Sequence, residues 1–391
     1  MCIRDRHKAS FEKNISDVLA FDYLGALGAT LLFPFFLLPF IGLYRSSLVF
    51  GLINLLVALV TLRFFKDDVL LTGKQQRLLT FGNLAMVILI VFMLFQTKKH
   101  LKKWDESIYK YPVIHTESSP YQKIDLAKNN SEFRLYLNGA IQFSSRDEYR
   151  YHEALVHVPF SQLDNPENIL VLGGGEGLVI REVLKYKEVK KVTLVDIDPA
   201  IVQLSKKNPL ISNLNQGALK DERVEVLHED AFVFLNQDTA TYDAILIDLP
   251  DPSNESLARL YTNVFYISCL NSLKSDGVIA TQATSPHLST NAFWCINETM
   301  RHAGFSYTYP YRVYVPSFGE WGFVMGKLNP RFKTSLRSDI DYAYLEEEAY
   351  EHMFYFSKDI REYAGGVNRL DSPILLEYYL DHWKSLQGEK R

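Results

Sequence analysis

The sequence predicts an α/β protein: a doubly wound, Rossmann-like sheet, preceded by a small β domain and by N-terminal transmembrane helices. Three observations carry that expectation. Strand-like and helix-like segments alternate between residues 169 and 305, three apolar runs crowd the first hundred residues, and a hairpin signal stands between these regions.

The apolar runs come first. Tyr23 to Tyr44 (YLGALGATLLFPFFLLPFIGLY) holds no charged residue, Ser47 to Leu62 is similar, and Leu78 to Gln96 is a third such stretch. A membrane-crossing helix needs about 20 apolar residues. The first and third runs meet that, and the second does so if it extends through Phe65. A buried helical domain is the alternative, but runs with almost no polar face favour membrane helices. Basic residues flank the third run on both sides: Arg63, Lys66, Lys74 and Arg77 before it, Lys98, Lys99, Lys102 and Lys103 after it. The positive-inside count therefore ties. The opening MCIRDR has no signal-peptide grammar and reads as a foreign remnant.

Composition narrows the function. Lys+Arg 42 against Asp+Glu 46 gives a net charge of -4, which argues for no nucleic-acid partner. Cys2, Cys269 and Cys295 are too far apart for a thiolate zinc site or a disulfide framework, and no HxxE or HxxxH pattern has a third ligand, so no metal is expected. The expected organisation is a membrane region over 1–103, a small β-hairpin domain over 104–150, a Rossmann-like catalytic domain over 151–330 and a helical extension over 331–391.

In the second region, RLYLNGAIQF places Asn138-Gly139 between two strand-like runs, the signature of a tight hairpin. Ser145 with Glu148 three residues later predicts a capping box opening a helix. The alternation then begins. ILVL (Ile169 to Leu172) reads as a buried strand, GGGEG as a turn and LVIREVLKYK as an amphipathic helix. KVTLVDID is a second strand, RVEVLHEDA a third ending at Asp230, YDAILID a fourth and GVIATQAT a fifth, with helices between them. Such alternation implies a parallel sheet, whose ligands bind outside the carboxyl ends of the strands. Asp196, Asp230 and Asp248 all stand at such ends.

The glycine turn is incomplete as a dinucleotide fingerprint. Gly173, Gly175 and Gly177 fit G-x-G-x-G, but Leu178 stands where the next glycine would be needed, and the Glu176 carboxylate would repel a pyrophosphate. A nucleoside without phosphates fits better. Asp196, about 20 residues on, is placed to accept from both ribose hydroxyls. With Asp230 this points to an S-adenosyl-type nucleoside. In ILIDLPDPSN, Asp248 and Asp251 close an apolar strand; they either cap a turn or face a cationic substrate. His152 is open between a buried structural histidine and a ligand contact. The aromatic tail from Tyr342 to Trp383 reads as a helical cover rather than an aromatic box, and Glu346, Glu347 and Glu348 as a solvated face.

Taken together, YQKI at Tyr121, LNGAIQFSSRDEYRYHEAL, VLGGGEGLVIREVLKY, TLVDID, HEDA and DLPDP, in that order and spacing, resemble the polyamine aminopropyltransferases, the spermidine synthase family. The similarity runs from about Tyr111 to Lys327. The N-terminal apolar helices and SFGEWGF resemble its membrane-attached bacterial branch, where more helices often precede the domain, so further sequence upstream is expected. The resemblance implies that Gln122 and Gln142 contact the nucleoside and the aminopropyl side, with Gly173 and Gly175 in the nucleoside turn. Asp196 would hold the ribose, and Asp230 with Ala231 the adenine. Tyr151 and His152 would line an amine channel, Glu176 would bind an amino group, Asp248 would be the catalytic base and Asp251 an amine anchor. Related enzymes are commonly dimers or tetramers, so a homo-oligomer is expected. Asn138 and Glu176 stand where the family often has Asp, and Leu249-Pro250 replace two small hydroxyl residues. Pro316 and Ser317 occupy the region of a common tyrosine.

The chemistry agrees. Decarboxylated S-adenosylmethionine, a co-substrate rather than a cofactor, carries a sulfonium that activates its methylene carbons toward a diamine, putrescine first among the candidates. The acceptor's ammonium, with a pKa near ~10, must lose a proton, and a carboxylate can take it. A dication needs a second anionic anchor, Asp251 or Glu320. Two rival functions are a methyltransferase on the same fold and a membrane-tethered polyamine sensor without catalysis. Since the donor and diamines are made in the cytoplasm, the expected location is the cell membrane, multi-pass, with residues from Lys98 onward cytoplasmic.

Overall fold

The computed structural model describes residues 19–64, 72–109, 111–361 and 365–388. The opening MCIRDR, most of the loop between Arg63 and Arg77 and the side chains of Lys98, Lys99, Lys102 and Lys103 lie outside that description. The chain falls into two compact units, Met1–Lys110 and Tyr111–Arg391.

In the first unit, three stretches are long and apolar enough to cross a membrane: Leu19–Leu37, Leu43–Phe64 and Gly73–Thr97. Their bounds differ from the apolar runs for a local reason. Pro34 and Pro39 remove backbone donors, producing a π-helical turn at Phe33–Leu37 and a four-residue helix at Leu38–Ile41, and Gly42 at φ 80° ends the path. The second helix therefore starts at Leu43 and reaches a full-length span. Large apolar side chains on all three, Phe21, Phe35, Phe64 and Phe95 among them, face outward. A single soluble chain rarely leaves so much apolar surface uncovered.

In the second unit the described residues hold two sheets. Strands β1 (Val113–Ser118), β2 (Lys123–Lys128), β3 (Phe133–Leu137) and β4 (Ala140–Ser144) form an antiparallel meander. The predicted hairpin is there: Asn138 and Gly139 take φ 50° and 86°, the mirror-image turn that matches strand twist. The capping box is not. Ser145 Oγ accepts from Phe133 N, and the next helix starts at Glu148 behind Asp147, whose carboxylate instead accepts from Ser317 N and Oγ. Ile124, Leu126, Leu135 and Phe143 share one core with the larger sheet, so the small sheet is a layer of the same body.

The larger sheet holds β5 (Asn168–Gly173), β6 (Lys191–Val195), β7 (Val224–Leu227), β8 (Tyr242–Asp248), β9 (Leu273–Gln282), β10 (Tyr307–Val315) and β11 (Gly319–Lys327). Its order is β10-β11-β9-β8-β5-β6-β7. Strands β5 to β9 are parallel, as expected. The β10–β11 hairpin joins antiparallel at one edge, making the sheet mixed rather than wholly parallel. Pro310 lies in the edge strand β10, where no further strand needs its missing donor. Alternate residues feed two cores: Ile169, Val171, Ala244 and Leu246 on one face, Leu170, Leu172, Ile245 and Ile247 on the other. Helices cover both faces, so the sheet is doubly wound. Leu178–Val183 is buried throughout, hence not amphipathic. The strand order reverses between β5 and β8, which opens a crevice at their carboxyl ends.

Candidate active site

Three loops meet at that crevice. Gly173, the last residue of β5, pairs with Asp248, the last of β8, and runs so close that a Cβ at Gly173 would stand 2.2 Å from the Asp248 carbonyl oxygen. A Cβ at Gly175 would stand 2.6 Å from Asp196 Oδ2, and Gly175 N donates to that oxygen at 2.9 Å. The glycines are thus required by the Asp248 backbone on one side of the turn and the Asp196 carboxylate on the other. Asp198 N donates to the other Asp196 oxygen at 2.9 Å. Two backbone donors fix this carboxylate and leave it further lone pairs, the arrangement a vicinal diol needs. Burial pushes its pKa up to about 6, with the Glu176 charge adding to the rise.

Asp248 receives a hydrogen bond from the Tyr151 hydroxyl at 2.6 Å. The Tyr151 ring packs against Phe318, Phe323 and His152, which fixes where that hydroxyl points. Burial and the nearby Glu176 charge raise Asp248 to about 7, while His152 and the Tyr151 hydrogen bond pull it down. Such a carboxylate is basic enough to take a proton near neutrality.

His152 lies between two carboxylates. It is buried, with Nδ1 2.8 Å from Glu148 Oε2 and Nε2 3.6 Å from Glu176 Oε1. Burial alone would lower its pKa, but the two carboxylates raise it to about 10. His152, Glu176 and Asp248 present ligand atoms within 4.8 Å of one another. Set between Glu148 and Glu176, His152 can serve that group as a counter-charge. Behind it, Arg181 grips both oxygens of Glu148 at 2.8 and 3.0 Å and Glu182 at 2.8 Å. Glu148 is held below its ordinary pKa because these hydrogen bonds outweigh its burial.

The remaining predicted residues divide. Gln122 Nε2 donates to Asp198 at 2.8 Å, beside Asp196, so the small sheet reaches the nucleoside side. Gln142 bonds only weakly to Ala140 O, 3.4 Å away on its own strand. Asp230 caps the helix Ala231–Gln237 through Phe232 N and Val233 N, and its outer oxygen pairs with Arg259. Ala231 is buried beneath it. Glu320 is paired with Arg312 on the neighbouring strand and lines a separate cavity of ≈ 470 Å³ with His287 and Asp359. Its charge is thus already balanced, unlike that of Asp251.

Asp251 accepts from Tyr379 at 3.1 Å and from the Gln282 amide at 3.4 Å. Burial raises it to about 6 against those hydrogen bonds. Gln282 ends β9, and its carbonyl is fixed by Thr284 N and Trp321 Nε1, so its NH₂ must face Leu249 O and Asp251. Gln282 and Tyr379 were not singled out from sequence. Gln282 had a signal, a polar residue closing an apolar strand at the sheet's carboxyl edge; Tyr379, on the helix Ile374–Gly388, had none.

A glycine turn at a topological switch point, a buried carboxylate beside it and a second one without a cation among the described residues suit an enzyme of the S-adenosyl-type fold acting on a cationic substrate. Residues 148–337 match the Spermine/spermidine synthase domain. The chain is 39% identical to the polyamine aminopropyltransferase of Leptospira interrogans over 97% of this chain and 75% of that protein. It is likewise 39% identical to that of Oceanobacillus iheyensis, over 96% and 73%. A crystal structure of spermidine synthase in complex with the transition state analogue AdoDATO superposes with TM-score 0.60 at 26% identity, covering 64% of this chain and 87% of that one. Spermidine synthase from Thermotoga maritima gives 0.59 at 27% identity, over 64% and 86%. The chain belongs to the polyamine aminopropyltransferase, or spermidine synthase, family.

Proposed function

We propose that the acceptor in this chain's aminopropyl transfer is putrescine, the reaction being that of its family: transfer from decarboxylated S-adenosylmethionine to an amine. The observation that carries the acceptor is the pair Asp248 and Asp251, one at the strand end beside the nucleoside turn and one three residues on, held by neutral donors. A short dication places one nitrogen at each. Asp248 takes a proton from the near ammonium; the freed lone pair attacks the methylene carbon beside the sulfonium. As the C–N bond forms, the C–S bond breaks and its electrons return to sulfur, giving neutral methylthioadenosine and spermidine. Orientation supplies much of the rate, since both reactants are held in one crevice. Purified protein given decarboxylated S-adenosylmethionine with putrescine, cadaverine, agmatine or spermidine, and read by product mass, tests this. A fastest gain of one aminopropyl group on another amine would overturn putrescine; a gain of one methyl from S-adenosylmethionine would overturn the reaction.

The nucleoside side rests on Asp196. Asp196→Ala removes an anchored acceptor, so methylthioadenosine should bind more weakly by roughly 1–3 kcal/mol. Calorimetry showing unchanged affinity would place the ribose elsewhere.

The three apolar helices support a multi-pass membrane protein, and the charged donor, which would not cross a bilayer unaided, supports a cytoplasmic active site. A fluorescent reporter fused after Arg391 should fluoresce as a cytoplasmic domain does. Alkaline phosphatase activity at that position would reverse the orientation.

A further inference from the structure

We propose that Tyr379 positions Asp251 at the far end of the amine site, so that the C-terminal helix sets which acceptor is taken. This rests on the aminopropyltransferase reading above. The groups bearing on Asp251 among the described residues are neutral, Gln282 and Tyr379, and no Lys, Arg or His among them pairs with it. A shielded carboxylate held this way lacks a counter-charge that an ammonium would supply. Tyr379 donates its hydroxyl hydrogen to Asp251 Oδ2 at 3.1 Å, which fixes where that carboxylate oxygen points.

The helix has a reason to be accurately placed. Leu375, one turn before Tyr379 and wholly buried, packs in the core on the β9 side. Upstream, fully buried Asn368 donates to Ala258 O at 3.0 Å and Tyr261 O at 3.1 Å, and its own N–H donates to Thr299 Oγ1 at 2.9 Å. Tyr261 in turn donates to Pro250 O at 3.0 Å, within the loop that carries Asp251. The tail is thus fastened to the very loop it addresses.

The test is steady-state kinetics of the full chain in detergent, with saturating decarboxylated S-adenosylmethionine and varied putrescine. Tyr379→Phe keeps the ring and removes one hydrogen bond, so KM for putrescine should rise about 3–10-fold. The kcat and the methylthioadenosine affinity should stay within about two-fold, because the base and the ribose site are untouched. In an Asp251→Asn background the same substitution should add less than about two-fold, since the two groups act as one. An unchanged KM, an equal rise in both backgrounds, a parallel loss of methylthioadenosine affinity or a Tyr379→Phe protein that does not fold each overturns the assignment alone, given a wild type that transfers aminopropyl groups. A wild type that transfers none overturns the functional reading and this assignment with it.

Discussion

Asp248→Asn should leave a folded protein that binds methylthioadenosine normally and turns over about 10² to 10⁴ times more slowly. The amide keeps the shape and can still accept from Tyr151, but it cannot take a proton. The pH profile separates this from mere distortion. Wild-type kcat/KM for the amine should fall below about pH 7, where burial and Glu176 leave Asp248 protonated, and the variant should lose that inflection. Stability moves the other way. The folded-state pKa lies above the unfolded value, so the folded state binds more protons between about pH 4 and 7, and this group's contribution is lost as pH rises through about 7. The variant should therefore melt no lower than wild type at pH 8. Turnover within two-fold of wild type would remove Asp248 from the base role.

Arg181→Met should strongly destabilise the catalytic unit. It strips the guanidinium from Glu148 and Glu182, both buried, leaving two carboxylates with one partner fewer each. Removing one member of a buried pair costs about 3–5 kcal/mol. For a body of this size that is a fall in melting temperature on the order of 10 °C. Arg181→Lys should recover little, because one ammonium cannot reproduce the two-pronged grip on Glu148 together with the bond to Glu182. Thermal unfolding followed by tryptophan fluorescence decides it, and an unchanged midpoint would show that the network contributes nothing net.

How much of this was legible in the sequence depended on distance along the chain. Asp196, Asp248 and the glycine turn announce themselves locally, because an apolar strand that ends in an acid beside a glycine leaves few other geometries. Asn138-Gly139 fixed its hairpin in the same way. The Ser145 cap failed since two better partners, Phe133 N for the serine and Ser317 for Asp147, arrive from elsewhere in the fold. Glu320 looked like an anchor until the β10–β11 pairing brought Arg312 against it. Tyr379 meets Asp251 across 128 residues, and nothing in a tyrosine-rich tail marks which ring will do so.

Glu176, the one charged residue in the glycine turn, faces His152 on one side and acts on Asp248 by its charge. Its neighbourhood bears on fidelity between two donors that differ by a single carboxyl group. S-adenosylmethionine, the methyl donor, would bring an α-carboxylate to a group in which Glu176 and Asp248 share the single counter-charge of His152, and added like charge away from water is repelled. The decarboxylated donor brings only an ammonium there. With the donor's amino end beside Glu176, repulsion would disfavour the methyl donor without a pocket shaped to exclude it.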